Sequence, residues 1–255
     1  MTFVNSLDPT ILEVFGLEIR YYGLVYVIGF LAAYYLLLKA IEKGFVKGFT
    51  KEWVDDYIFY LVIYTLIGAR FFHVFIWNPG YYFQNPGEIL MIWEGGLSFH
   101  GGILGAFLFS WWFTKKHKID LWELGDLLVL PLSLFLFFGR IANFVNQELV
   151  GYATQQPWGV WFTRVDETPV YRHPYQVYAA LKNLGVFVIL LPLYLKQKLK
   201  KGAVFSWFLI LYGAGRFLLD FYRVDARFLG LSTGQYLSLV MVVIGGYLLW
   251  QSSRN

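Results

Sequence analysis

Long apolar runs alternate with short lysine clusters from one end of the chain to the other. A helix needs roughly 20 mostly apolar residues to cross a bilayer. Seven candidate spans stand out: Tyr21–Leu38, Tyr57–Trp77, Leu97–Phe113, Leu121–Phe138, Val177–Leu195, Ala203–Tyr222 and Gly234–Trp250. The third and fourth are short and adjacent, so one of them can be re-entrant. Composition agrees, with 58% hydrophobic and 15% charged residues over 255 positions and a mean hydropathy of +0.52. Disorder needs the opposite balance, and a soluble globule could not hide so much apolar surface. The expected fold class is an all-α polytopic membrane protein with about seven transmembrane helices, forming a single integral membrane domain over residues 1–255.

The lysines set the expected orientation. Lys39, Lys43, Lys47 and Lys51 follow the first span, Lys115, Lys116 and Lys118 the third, and Lys196, Lys198, Lys200 and Lys201 the fifth. The opposite loops contain no lysine. Cytoplasmic loops carry the basic excess, so the N-terminus is expected outside and the C-terminus in the cytoplasm. Clustering at span ends also accounts for the net charge of +4 without a nucleic-acid partner. The first sixteen residues carry Asp8 and Glu13 and no basic start, so no cleavable signal peptide is expected. Residues 147–175 form the longest non-apolar insert. Turn residues flank short β-prone runs there, which predicts a small extracytoplasmic cap with a hairpin.

Ionisable side chains at membrane depth cost about 2.5–3.5 kcal/mol on insertion scales, so each one asks for a function. Arg70, His73, His100, Arg140, Glu148, Lys182, Arg216 and Asp220 are in this position. Tyr212, Arg216 and Asp220 are spaced i, i+4, i+8 and share one helix face. That pattern suits an arginine fork for a phosphate, braced by Tyr212 and Asp220, or a self-satisfied ion pair. Arg140, Asn143 and Asn146 recur every third residue and bring Glu148 near Arg140, with a capped helix end as the plainer alternative. His100 sits beside Gly101 and Gly102 and reads either as an interfacial packing residue or, near two candidate phosphate-binding arginines, as a proton-transfer group. Arg70 and His73 are read as mainly structural, and Lys182 as snorkelling or paired. The chain has no cysteine, no metal-binding spacing of its four histidines and no nucleotide-binding fingerprint, so neither a metal nor a cofactor is expected.

Several blocks resemble prolipoprotein diacylglyceryl transferases, in the same order. They are Tyr21-Tyr22-Gly23-Leu24, Gly95-Gly96-Leu97-Ser98-Phe99-His100-Gly101-Gly102, Gly139-Arg140-x-x-Asn143-Phe144-x-Asn146-x-Glu148-x-x-Gly151, Arg172-His173-Pro174-x-Gln176-x-Tyr178 and Tyr212-Gly213-x-Gly215-Arg216-Phe217. Two positions depart from the family pattern: Ala142 replaces the usual Gly, and Asp220 the usual Glu, shortening that carboxylate by one methylene.

The resemblance implies an enzyme of the bacterial cell membrane whose site faces the outer leaflet. It would transfer the diacylglyceryl group of phosphatidylglycerol to the lipobox cysteine thiol of a prolipoprotein signal peptide, leaving glycerol phosphate. On that reading His100 is the candidate base, and Arg140 and Arg216 bind the phosphate and stabilise its departure. Tyr22, Asn143 and Asn146 hold the glycerol and headgroup, Tyr212 lines the same site, and Glu148 and Asp220 orient the arginines. Tyr22, or an arginine-lowered thiol pKa, would serve without a histidine base. The competing reading is a lipid or anion transporter with an arginine-lined path. A non-catalytic scaffold leaves the arginine and asparagine cluster unexplained.

Overall fold

A computed structural model describes residues 3–14, 17–45, 49–196 and 199–254. Lys47 and Lys198, two of the lysines used for orientation, lie outside the described residues. Three short strands open the chain: β1 (Phe3–Asn5), β2 (Thr10–Val14) and β3 (Leu17–Arg20). Helices α1 (Tyr21–Glu42), α2 (Lys51–Phe72), α3 (Pro79–Gln84), α4 (Phe99–His117) and α5 (Leu121–Val145) follow. After β4 (Val160–Phe162) and β5 (Tyr171–Arg172) come α6 (Tyr175–Lys196) and α7 (Ala203–Leu219). The pair β6 (Arg227–Phe228) and β7 (Leu231–Ser232) leads into α8 (Thr233–Arg254).

Among the described residues, a long helix falls on each of the seven apolar runs. Six are long and apolar enough to cross a membrane, α2 together with the π-helical turn His73–Trp77. Helix α4, with 19 residues and a basic last turn, is outside that set. One edge differs from expectation in a way that matters. Helix α5 runs to Val145 rather than stopping at Phe138, so Arg140 and Asn143 lie inside the helix and not beyond it. The apolar run ends there, but the helix continues because Ala142, Asn143 and Val145 are still buried.

The chain divides into two compact units, Met1–Ala33 with Gly125–Asn255, and Tyr34–Leu124. In the first, β1 pairs in parallel with β4, and β4 pairs antiparallel with β5, in the order β1-β4-β5. Fully buried Asn5 ties this sheet to the end of α5: its Nδ2 donates to the Phe144 carbonyl at 2.7 Å. Phe144 also packs edge-on against Phe162, beside Val150 and Val160. Helices α7 and α8 approach closely through glycines. A Cβ on Gly213 would come within 2.8 Å of the Ser238 carbonyl, and one on Gly245 within 2.8 Å of that of Ser206. Small residues at helix contacts are the membrane solution to packing without a hydrophobic driving force. At the other end of α7, Asp126 accepts from the amides of Gly202 and Phe205, both at 2.7 Å, placing a carboxylate on the helix N-terminus.

In the second unit, α2 and α4 meet at Gly68, Gly101 and Gly105. A Cβ on Gly68 would come within 2.9 Å of the Gly105 Cα. Farther along the same contact, the Tyr57 and Ser110 hydroxyls are hydrogen-bonded at 2.8 Å.

Candidate active site

Polar side chains of the first unit gather where α5, α6 and α7 end or begin. Arg140 donates to Asn143 Oδ1 at 3.3 Å. The Asn143 amide in turn donates to Tyr22 Oη at 2.9 Å and to Glu148 Oε1 at 2.7 Å. Asn146 adds a longer contact to the same carboxylate oxygen, at 3.4 Å. Tyr22, Arg140, Asn143, Asn146 and Glu148 therefore form one network, with Asn143 at its centre.

The loop that carries Glu148 is held in an unusual shape. Gln147 and Leu149, on either side of it, have φ of 59° and 58°, a region that residues other than glycine seldom occupy. Such conformations persist only where surrounding contacts over-determine them, and here they do. Glu148 N–H donates to the Asn143 carbonyl, Gln176 Nε2 donates to the Glu148 carbonyl at 2.6 Å, and Gln147 Oε1 accepts from the Arg164 amide at 2.9 Å. Gly151 closes the loop against residues 173 and 222. A Cβ there would lie 2.7 Å from His173 Cβ and 2.8 Å from the Tyr222 carbonyl.

The second half of the cluster is built on α7. Asp220, fully buried just past its last turn, lies 3.6 Å from Arg216 Nε. Tyr175 Oη donates to Asp220 Oδ1, and Ser232 Oγ lies 3.4 Å from Oδ2. Ser232 is also the N-cap of α8, in a reciprocal capping box with Gln235. Gly234, in the first turn of α8, leaves room for the pair, since a Cβ there would approach Arg216 Nη2 to 2.9 Å. The Tyr175 ring joins the two halves: the guanidinium carbons of Arg140 and Arg223 lie 5.9 and 5.8 Å from its centre. Such cation–π contacts draw the guanidiniums toward the ring face.

Of the candidate residues, Tyr22, Arg140, Asn143, Asn146, Glu148, Tyr212, Arg216 and Asp220 all belong to this first unit. His100 belongs to the second unit. It is the second residue of α4, exposed, with ring contacts to Trp77 and Phe99. Arg70 is consumed structurally. Its guanidinium donates to the backbone carbonyls of Glu88, Ile89, Met91, Gly95 and Gly96. His73 faces Asn78 at 3.3 Å. In the β4–β5 hairpin, Arg172 holds Asp166 through two hydrogen bonds of 2.6 Å.

Sequence reasoning passed over Tyr175, which stands at the unspecified position of the Pro174-x-Gln176 block. Its signal was indirect. A carboxylate shortened to Asp at 220 needs a partner that reaches to it, and a tyrosine supplies the length. Lys182, read from the sequence as snorkelling or paired, meets an aromatic ring. Its ammonium lies over the Tyr212 ring, 3.6 Å from the centre.

Apolar helices of spanning length that carry arginines, asparagines and a buried carboxylate define an integral membrane protein. The known proteins that this chain resembles are more specific. A family model described as prolipoprotein diacylglyceryl transferase matches residues 9–251. A phosphatidylglycerol–prolipoprotein diacylglyceryl transferase of Tolumonas auensis is 37% identical, over 100% of this chain and 99% of its own length. Relatives of the same name from Bordetella parapertussis and Rickettsia africae are 38% and 40% identical, each over at least 97% of both chains. The chain belongs to the prolipoprotein diacylglyceryl transferase family, a family of membrane-embedded transferases. None of these relatives supports the transporter alternative.

Proposed function

We propose that this enzyme moves the diacylglyceryl group of phosphatidylglycerol onto the lipobox cysteine of a prolipoprotein signal peptide, releasing glycerol phosphate. The observation that carries the site assignment is that Arg140 and Arg216 share one cluster of the first unit, Arg140 over the Tyr175 ring, the Tyr175 hydroxyl on Asp220, and Asp220 in an ion pair with Arg216. A guanidinium binds two phosphate oxygens at once. Fixed by neighbours before substrate arrives, such donors stabilise the charge that grows on a leaving phosphate without reorganising.

The attacking group is the peptide thiolate, since a thiolate and not a thiol is the nucleophile. Its sulfur bonds to the glyceryl carbon and the carbon–oxygen bond to phosphate breaks, the electron pair staying on the phosphate oxygen. Asn143, Asn146 and Tyr22 hold the glycerol and headgroup, Tyr212 lines the site, and Glu148 and Asp220 set the arginines. His100 is assigned as the proton acceptor for the thiol. The lysine distribution supports a bacterial cell membrane location with the lysine loops cytoplasmic, so that the cluster opens to the outer leaflet and residues 147–175 form an extracytoplasmic cap.

Two experiments test this. Purified protein given phosphatidylglycerol and a lipobox peptide should yield a peptide heavier by one diacylglyceryl group, with glycerol phosphate released. No adduct, with the lipid left intact, contradicts the reaction. In intact cells, cysteines placed at Lys43 or Lys116 should resist an impermeant thiol reagent and one at Thr168 should react. The reverse pattern overturns the orientation.

A further inference from the structure

Lys182 is an ionisable group that the mechanism above leaves unused, and its surroundings are built for it. It lies seven residues into α6, about 10 Å along the helix. The stem passes over Gly215, where a Cβ would come within 2.8 Å of both Lys182 Cγ and Cδ. Any larger residue at 215 would displace the lysine. The ammonium ends 3.6 Å from the centre of the Tyr212 ring, on the helix whose next turn carries Arg216. Arg140, Arg216 and Asp220 are all within electrostatic range of it.

Among the described residues no carboxylate lies within ion-pair distance of this ammonium. Asp220 is already committed to Tyr175, Ser232 and Arg216. The aromatic face satisfies one side of the ammonium, and lysine has three donors to place. Buried beside two arginines and given no anion of its own, this side chain is supported as a cation by an anion that arrives with substrate.

We propose that Lys182 is a third cation of the phosphate site, stabilising the second negative charge that develops on glycerol phosphate as it leaves. This rests on the transfer reaction proposed above. The donor phosphodiester carries one negative charge. As sulfur bonds to carbon and the carbon–oxygen bond breaks, the departing oxygen keeps the electron pair and the phosphate approaches a dianion. The thiol proton ends on the released phosphate or in water. Two arginines suffice to bind the monoanion, and a third cation acts on the charge that exists only beyond the ground state. Interactions that strengthen in the transition state raise kcat rather than ground-state affinity.

The test compares wild type with K182M and K182R in the phosphatidylglycerol and lipobox-peptide assay. The readouts are kcat, KM for the lipid and inhibition by added glycerol phosphate. K182M should lose roughly a hundred- to a thousand-fold in kcat, the usual cost of removing one such preorganised charge stabiliser. Its KM for the monoanionic lipid should move only a few-fold. Inhibition by dianionic glycerol phosphate should weaken far more than KM rises, and K182R should retain more of both than K182M. Should K182M fail to accumulate, K182Q carries the same expectation. A folded variant with wild-type kcat and wild-type product inhibition overturns the proposal. So does a variant whose kcat falls only with its thermal stability while inhibition by glycerol phosphate is unchanged. Absence of adduct from the wild type itself would instead remove the underlying reaction, and this role with it.

Discussion

Replacing Tyr175 by Phe isolates the bond that joins the two halves of the site. The hydroxyl donates to Asp220 Oδ1, and both residues are at most 1% exposed, so water does not take its place. Asp220 would be left with Ser232 at 3.4 Å and the 3.6 Å approach of Arg216 Nε, neither a strong bond. Hydrogen bonds to charged groups contribute about 1.5–3 kcal/mol. At 1.36 kcal/mol per decade, that corresponds to roughly ten- to a hundred-fold in rate if the whole loss falls on the pose of Arg216. The phenyl ring remains, so the contacts of Arg140 and Arg223 with its face persist. Lipid transfer to a peptide, followed by mass, should therefore fall by about that factor while the protein stays folded in detergent. Tyr175→Leu, which also removes the ring, should fall further. A Tyr175→Phe enzyme with wild-type transfer and an unchanged unfolding temperature would refute the idea that this hydroxyl sets Asp220 and, through it, Arg216.

Three further expectations follow from other parts of the site. Arg140→Lys should lose most transfer activity although its charge is kept, because an ammonium is a point charge and cannot hold two phosphate oxygens; a near-wild-type rate would reduce the role of Arg140 to simple attraction. His100→Gln should lose about 10²–10⁴-fold in rate and regain activity as pH rises toward the thiol pKa of about 8.5, whereas a pH–rate profile parallel to wild type removes His100 as proton acceptor. In the β4–β5 hairpin, the hydrogen bonds from Arg172 hold the Asp166 carboxyl below its ordinary value. A depressed carboxylate contributes stability that is fully present above its unfolded value near 3.9 and is lost as pH falls through the lower folded value. Hydrogen exchange of the residue 160–172 hairpin should thus accelerate in that acid window, and Asp166→Asn should abolish the pH dependence.

The helices were legible because apolar runs of spanning length have few other solutions, and the runs at Tyr21, Ala203 and Gly234 begin within a residue of where the helices do. What was not legible is where a helix carries polar groups past the end of its apolar run. Asn143 has partners at Tyr22 and Glu148 and itself accepts from Arg140, and the first two are remote in sequence or displaced by a strained loop. The i, i+4 spacing of Arg216 and Asp220 was sufficient to pair them. By contrast, nothing in the sequence indicates that the Arg70 donors end on backbone carbonyls 18 to 26 residues away. Tyr175 was hidden for a different reason. In a chain with 19 tyrosines, an aromatic residue at a helix start reads as packing until its hydroxyl is seen against a buried carboxylate.

The central claim is substitution at carbon, with the phosphate leaving intact into the cluster of Arg140 and Arg216. Phosphatidylglycerol carrying a heavy oxygen isotope at the atom that bridges glyceryl carbon and phosphorus tests it directly. After transfer to a lipobox peptide, all of the label should be found in the released glycerol phosphate and none in the lipidated peptide. Label retained with the diacylglyceryl product would mean that the phosphorus–oxygen bond breaks, and would contradict an arginine site that stabilises a departing phosphate.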